Sequence, residues 1–240
     1  MFFFLKLKKK RKCLLINNKI KIQMDIYNLN KTNYKNKYNY LQHKCTCFLV
    51  PPVILDKIIK EGTPEQKSKA IKNLEISAAL RNERRLRHRM YGMFISTGQK
   101  NRRLIYDAEN TWDYEKLPGK LIRSEGEPDI PNDTDANKAY VNSGHTFNFY
   151  KEVFDRTSID NNGMPLQSCV RFGQTWDNAQ WTGQYMIYGE GDGEFLKKGV
   201  LTDLTVCAHE LTHGVTEIES NLNYSDEAGG LNESMSDVFA

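Results

Sequence analysis

Apolar residues recur three and four positions apart through several long stretches of this chain, and shorter runs of strand-forming residues lie between them. In residues 63 to 89, Ala70, Ile71, Leu74 and Ala78, with Leu80 beside them, share one side of a helical projection. Thr63 suits an N-cap, Pro64 the first helical position and Gln66 the reciprocal place of a capping box, so the spacing predicts a helix from 64 to about 89. Arg81, Arg84, Arg85, Arg87 and Arg89 complement the partial negative charge of its C-terminal end. TDANKAYVNSGHTFNFYKEVFDR (134 to 156) is also helical in period. LIYDAENTWDY (104 to 114) reads as strand-forming residues near a turn, QYMIY (184 to 188) as a strand, and GEGDGE (189 to 194) as an acidic glycine-rich turn. Val206, Ala208, Leu211 and Val215 mark the apolar side of another helix, DEAGG (226 to 230) is expected to be a turn, and a last helix is expected from 231. Strands and turns followed by a helix predict an α+β fold.

The last two of these helices carry the candidate chemistry. In HELTH (209 to 213), His209 and His213 lie four apart, one turn above each other on one face, close enough to grip a single ion. Glu210 lies one residue round, where its carboxylate reaches a water on the metal without being a ligand. Glu233, in NES at 232 to 234, completes two histidines and one carboxylate, leaving a fourth position for water, as catalytic zinc requires. Asp237, four residues beyond Glu233, can accept a hydrogen bond from the second nitrogen of a ligand histidine and set its tautomer. GEGDGE lacks the lysine and helix of a phosphate loop, and its spacing is not that of an EF-hand.

Together with PPVILDKI (51 to 58), RRLIYDAENT (102 to 111), HTFNFYKEVFDRTSIDNNG (145 to 163), WDNAQWTGQYMIYGEGDG (176 to 193) and HELTHGVTEIESNLNYSDEAGGLNESMSD (209 to 237), these residues resemble the thermolysin-like zinc metallopeptidases, in particular their protealysin-like branch. The resemblance covers most of residues 45 to 240. It implies a zincin-type catalytic half, made of a β-sheet and an active-site helix, behind a short helical propeptide. It further implies a zinc-dependent endopeptidase acting on protein or peptide substrates and made as a proenzyme, with the propeptide as intramolecular inhibitor. Zn2+ would be held by His209, His213 and Glu233, Glu210 would be the general base, and Tyr224 would donate to the oxyanion. Asn178 and Ala179, with Trp181 after them, match an edge strand that hydrogen-bonds the substrate backbone. From the residues alone, Asn178 reads equally as a turn cap and Trp181 as core. Gln180 stands where the family usually has an aromatic residue, and Thr205 where relatives often carry a calcium-binding aspartate, so Ca2+ is possible in the family but not supported here.

Charge divides the chain. Residues 1 to 44 hold eleven Lys and one Arg against one Asp, a net +11, which leaves −7 on residues 45 to 240 out of the whole-chain +4. The basic character therefore belongs to a leader without periodicity, expected to be disordered, and an acidic remainder argues against nucleic acid as a partner. Secretion is the family's expectation, although the leader's charges follow its short apolar stretch instead of preceding it, and no membrane span is visible. Five cysteines without framework spacing predict free thiols; a thiolate at Cys45 or Cys47 capping the metal stays open. The expected domains are thus a leader (1–44), a propeptide (45–95), with maturation in the linker at 90 to 100, and the N-terminal part of the peptidase domain (96–240).

The family's C-terminal helical domain, with its histidine donor to the oxyanion, is expected to be missing. Two other readings follow: a catalytically incomplete zinc-binding fragment or regulator of a full-length peptidase, and a binding module recruited by the basic leader.

Overall fold

A computed structural model describes residues 49–50, 52–91, 103–193, 196–222 and 226–240. The leader, Cys45 and Cys47, most of the linker expected at 90 to 100, and Tyr224 lie outside the described residues. Among the described residues two helices come first, α1 (Pro52–Glu61) and α2 (Pro64–Tyr91). The sequence pattern did not signal α1, although Pro52 occupies the first helical position, where a missing N–H costs nothing. At the start of α2 the Gln66 N–H donates to Thr63 Oγ1 at 3.3 Å and the Thr63 N–H to Gln66 Oε1 at 3.0 Å, so the expected capping box forms. The buried side of α2 is rotated from the apolar stripe. Ala70, Asn73, Ile76 and Ser77 are buried while Ile71 is 44% exposed, because polar partners on the body of the protein select this face.

The sheet contains β1 (Arg103–Asp107), β2 (Lys120–Ser124), β3 (Leu166–Val170), β4 (Ala179–Trp181) and β5 (Met186–Tyr188), in the order β2-β1-β3-β5-β4. The β1–β3 and β3–β5 pairs are parallel and the outer pairs antiparallel, which leaves β4 at one edge. Strand alternation divides the core. On one face Ile105, Val170, Met186, Tyr188, Ala179 and Trp181 pack with residues of two helices; on the other Cys169 and Ile187 join Phe172, Trp176, Tyr185 and Ile76 of α2. The mixed α+β architecture is the one predicted.

Helix α3 (Thr134–Phe154) starts at Asp133, whose side chain accepts from the Ala136 N–H, and stops at Asp155 in the left-handed region at φ 55°. It buries Ala136, Ala139, Tyr140, Ser143, Thr146 and Tyr150, spaced three and four apart. Helix α4 (Leu204–Ser220) lies beside it, joined by a buried 2.7 Å hydrogen bond between the Tyr150 hydroxyl and Thr212 Oγ1. Helix α5 (Asp226–Phe239) then packs along α4. The expected turn at 226 to 230 is therefore the beginning of α5, because packing along α4 outweighs the weak helix propensity of Gly229 and Gly230.

One glycine governs how closely α4 meets the edge strand. A Cβ at Gly214 would stand 2.7 Å from Ile159 Cγ2 and 2.9 Å from the Trp181 ring, both packed in the core. A Gly214→Ala variant should therefore lose about 2 kcal/mol through overpacking, despite alanine's better helix propensity. A thermal midpoint equal to or above that of the unaltered protein would contradict this.

Candidate active site

Three α4 side chains converge because helical periodicity aligns them. His209 and His213 stack edge to face with ring centroids 4.7 Å apart, and their Nε2 atoms are 3.0 Å from each other. Glu233 reaches in from α5, placing Oε2 3.2 Å from His209 Nε2 and 3.7 Å from His213 Nε2. His213 is fully buried, and Glu210 beside it also has no solvent exposure.

Where the protons sit follows from the outer partners. His209 Nδ1 lies 2.9 Å from Asp237 Oδ1, and His213 Nδ1 lies 2.8 Å from Asn232 Oδ1 and 3.0 Å from Ser236 Oγ. Both Nδ1 atoms thus face acceptors and carry the proton in the neutral ring, so both Nε2 lone pairs point at each other and at a carboxylate oxygen. Three lone-pair donors without a hydrogen between them repel unless a cation joins them. A tetrahedral ion about 2.1 Å from each ligand would separate the ligand atoms by roughly 3.4 Å, within the spread of these distances. The other oxygen of Glu233, Oε1, is buried without a hydrogen-bond partner, as suits a ligand that can swing toward an ion. The same crowding acts on protons. Burial opposes a charged His209, but the Glu233 hydrogen bond and the charges of Glu210, Glu233 and Asp237 outweigh it and raise its pKa.

Glu210 belongs to the same cluster, its carboxylate within 4.8 Å of both histidine ligand atoms. Its Oε2 accepts a 3.0 Å hydrogen bond from the Trp181 backbone N–H, so β4 orients it. The Trp181 ring itself is 2% exposed in the core, so of its two readings, core packing describes the side chain and the strand backbone serves the site. Asn178, just before β4, is fully buried; its Oδ1 accepts from the Ala179 N–H at 3.0 Å and from the Leu49 N–H at 3.1 Å. Ala179 pairs with Tyr188 of β5, and the outer side of β4 has no strand partner among the described residues. Gln180 is buried with neither end of its amide hydrogen-bonded, a polar group where an aromatic ring was expected by resemblance. Tyr224 is outside the described residues.

The structure therefore brings together His209, His213, Glu233, Glu210 and Asp237, with Asn178, Ala179 and Trp181 along the adjacent strand. Sequence reasoning missed Asn232 and Ser236. Positions 232, 233, 236 and 237 form a polar stripe on one side of α5, which could have flagged both.

Residues 66–217 match the family model described as the thermolysin metallopeptidase catalytic domain. An extracellular metalloprotease of Pectobacterium carotovorum is 42% identical over 193 residues, spanning 80% of this chain and 54% of that protein. Protease PrtS of a Photorhabdus species is 37% identical over 203 residues, 80% of this chain and 51% of that one. The solved precursor of protealysin, a metalloproteinase from Serratia proteamaculans, superposes with a TM-score of 0.65 at 38% identity, covering 81% of this chain and 54% of its own. The chain spans about half the length of these curated relatives.

The hydrogen bonds to the two Nδ1 atoms make a direct test. Replacing Asp237 or Asn232 by alanine should weaken divalent-metal affinity about 10- to 100-fold in a competitive chelator titration, with the fold retained. Affinity unchanged in both variants would show that these partners do not set the tautomers.

Proposed function

This chain belongs to the thermolysin metallopeptidase family, and on that premise we propose that it is the catalytic half of a zinc-dependent endopeptidase made as a proenzyme. The observation that carries this reading is the meeting of two bare Nε2 atoms and a carboxylate within 3.7 Å, beside a buried Glu210. Nitrogen and carboxylate donors at tetrahedral spacing suit Zn2+, held by His209, His213 and Glu233. When bound, zinc supplies a Lewis acid that polarises a carbonyl and acidifies water.

Glu210 then acts as general base and acid. It takes the proton of the attacking water and returns it to the leaving amine, while the Trp181 N–H holds its carboxylate in place. Asp237 and Asn232 keep the histidines in the ligating tautomer. Tyr224 is the donor to the tetrahedral oxyanion, a role that rests on resemblance.

Substrate binding falls to the free side of β4. An extended peptide added there is gripped through its backbone, and Asn178 Oδ1 is an acceptor for a peptide N–H. In this chain the acceptor is engaged by Leu49 of the proposed propeptide, which supports the reading that residues 45–95 hold the enzyme latent by sitting where substrate would lie. Export is the expectation that one relative's description as an extracellular metalloprotease supports. No helix among the described residues is long and apolar enough to cross a membrane.

Glu210→Gln should bind one zinc per chain and lose hydrolysis of an unstructured protein substrate such as casein by about 100- to 10,000-fold. Metal analysis and a peptide-release assay read the two properties separately. A chain that takes up no zinc, or a variant as active as its parent, would overturn the assignment.

A further inference from the structure

Gln180 is the middle residue of β4, and its side chain is buried with neither the amide nitrogen nor the amide oxygen hydrogen-bonded. Strand alternation decides which way it faces. Ala179 and Trp181 belong to the core on the α4 side, so Gln180 faces the opposite side of the sheet. There Ile187, its partner on β5, packs with Ile76 of α2, Phe172 and Trp176. Burying an amide without a partner costs free energy, so folding alone favours an apolar side chain at this position.

The backbone sets the same residue against the free edge of the sheet. The Gly189 N–H donates to the Asn178 C=O and the Thr182 N–H to the Tyr185 C=O, so residues 178, 180 and 182 turn their backbone groups toward β5. Ala179 and Trp181 turn theirs outward, where the Ala179 N–H meets Asn178 Oδ1 and the Trp181 N–H meets Glu210 Oε2. A peptide added antiparallel along this edge meets the outward groups of 179 and 181, and its residue opposite Gln180 falls at a non-hydrogen-bonded position. Side chains at such a pair stand on the same face with Cβ atoms roughly 4.5–5.5 Å apart. Glu210 is held by the next residue, Trp181, so this peptide residue lies close to the bond that is cut.

We propose that Gln180 selects the substrate residue opposite it, favouring a side chain that carries both a hydrogen-bond donor and an acceptor, the carboxamide of asparagine or glutamine above all. The proposal rests on the peptidase reading above, with substrate bound along β4. A carboxamide offers the two complementary groups that pair with another carboxamide head to tail. An aliphatic side chain of similar size fills the same space and leaves both ends of the Gln180 amide bare, and a site with buried polar groups discriminates against such a substrate. An apolar residue at 180 has the opposite preference, since it gains only from apolar surface.

The test uses the full chain supplied with Zn2+. Peptides of mixed sequence are digested and the cut sites are read by mass spectrometry; kcat/KM is then compared for peptide pairs that differ only by asparagine or glutamine against leucine. At one position near the cut, the carboxamide should give about tenfold higher kcat/KM, and Gln180→Met should abolish or reverse this. Equal values in the parent, or the same preference in Gln180→Met, overturn the selection while the peptidase reading stands. For a chain that binds these peptides without cutting them, the same preference is read from dissociation constants of the Glu210→Gln chain. A chain that neither cuts nor binds any of them overturns the peptidase reading and this proposal with it. One readout does not involve substrate. Methionine keeps the length of the side chain and removes an unpartnered amide, so the thermal midpoint of Gln180→Met should equal or exceed that of the parent. A lower midpoint means that the amide serves the fold, and overturns the proposal.

Discussion

The close approach of α4 to β4 at Gly214 is the constraint on which the rest of the site depends. A residue without a Cβ lets the helix settle against the Trp181 ring, with the nearest contacts already at the limit of packing. That distance puts the Glu210 carboxylate within reach of the Trp181 N–H. It also aims His209 and His213 toward α5, where Glu233 and the acceptors of both Nδ1 protons are carried on a single helix. Burial at this point serves electrostatics. A carboxylate and two imidazoles held away from water attract a cation strongly and keep a base oriented without reorganisation.

On the proposed reading, the same strand would connect catalysis to latency. β4 is a sheet edge, with hydrogen-bonding capacity on one side, and such edges are either covered or used. Here Asn178, just before β4, is engaged by Leu49 and Asn73, one shortly before α1 and one from α2. On the proposed reading, the Asn178 Oδ1 acceptor that would take a substrate N–H is the one that Leu49 occupies. Coverage of this kind lasts only as long as the docking of α2 does, and among the described side chains that docking rests on a few polar contacts and the buried Ala70 and Ile76.

Several elements were legible in the sequence because their signals are local. The capping box of α2, the period of α3 and the four-residue spacings of His209–His213 and Glu233–Asp237 depend on helix geometry alone. Where tertiary packing competes with local preference, the sequence pattern misled. Ile71 belongs to the apolar stripe of α2 yet faces solvent, and DEAGG has a turn's composition yet is helical. The polar face of α2 meets polar partners far along the chain, and no periodicity encodes that.

The sequence by itself determined that His209, Glu210 and His213 share one helix, that Glu233 and Asp237 lie one turn apart, and the periods of α2, α3 and α4, since each follows from neighbours within a few helical turns. Only the tertiary structure decided that Asn232 and Ser236 hold His213, that β4 lies at an edge, and that Lys69 meets Asp192 across 123 residues. The physical reason is range: backbone geometry sets contacts up to a few residues away, whereas burial, proton position and charge pairing arise when distant segments exclude water together.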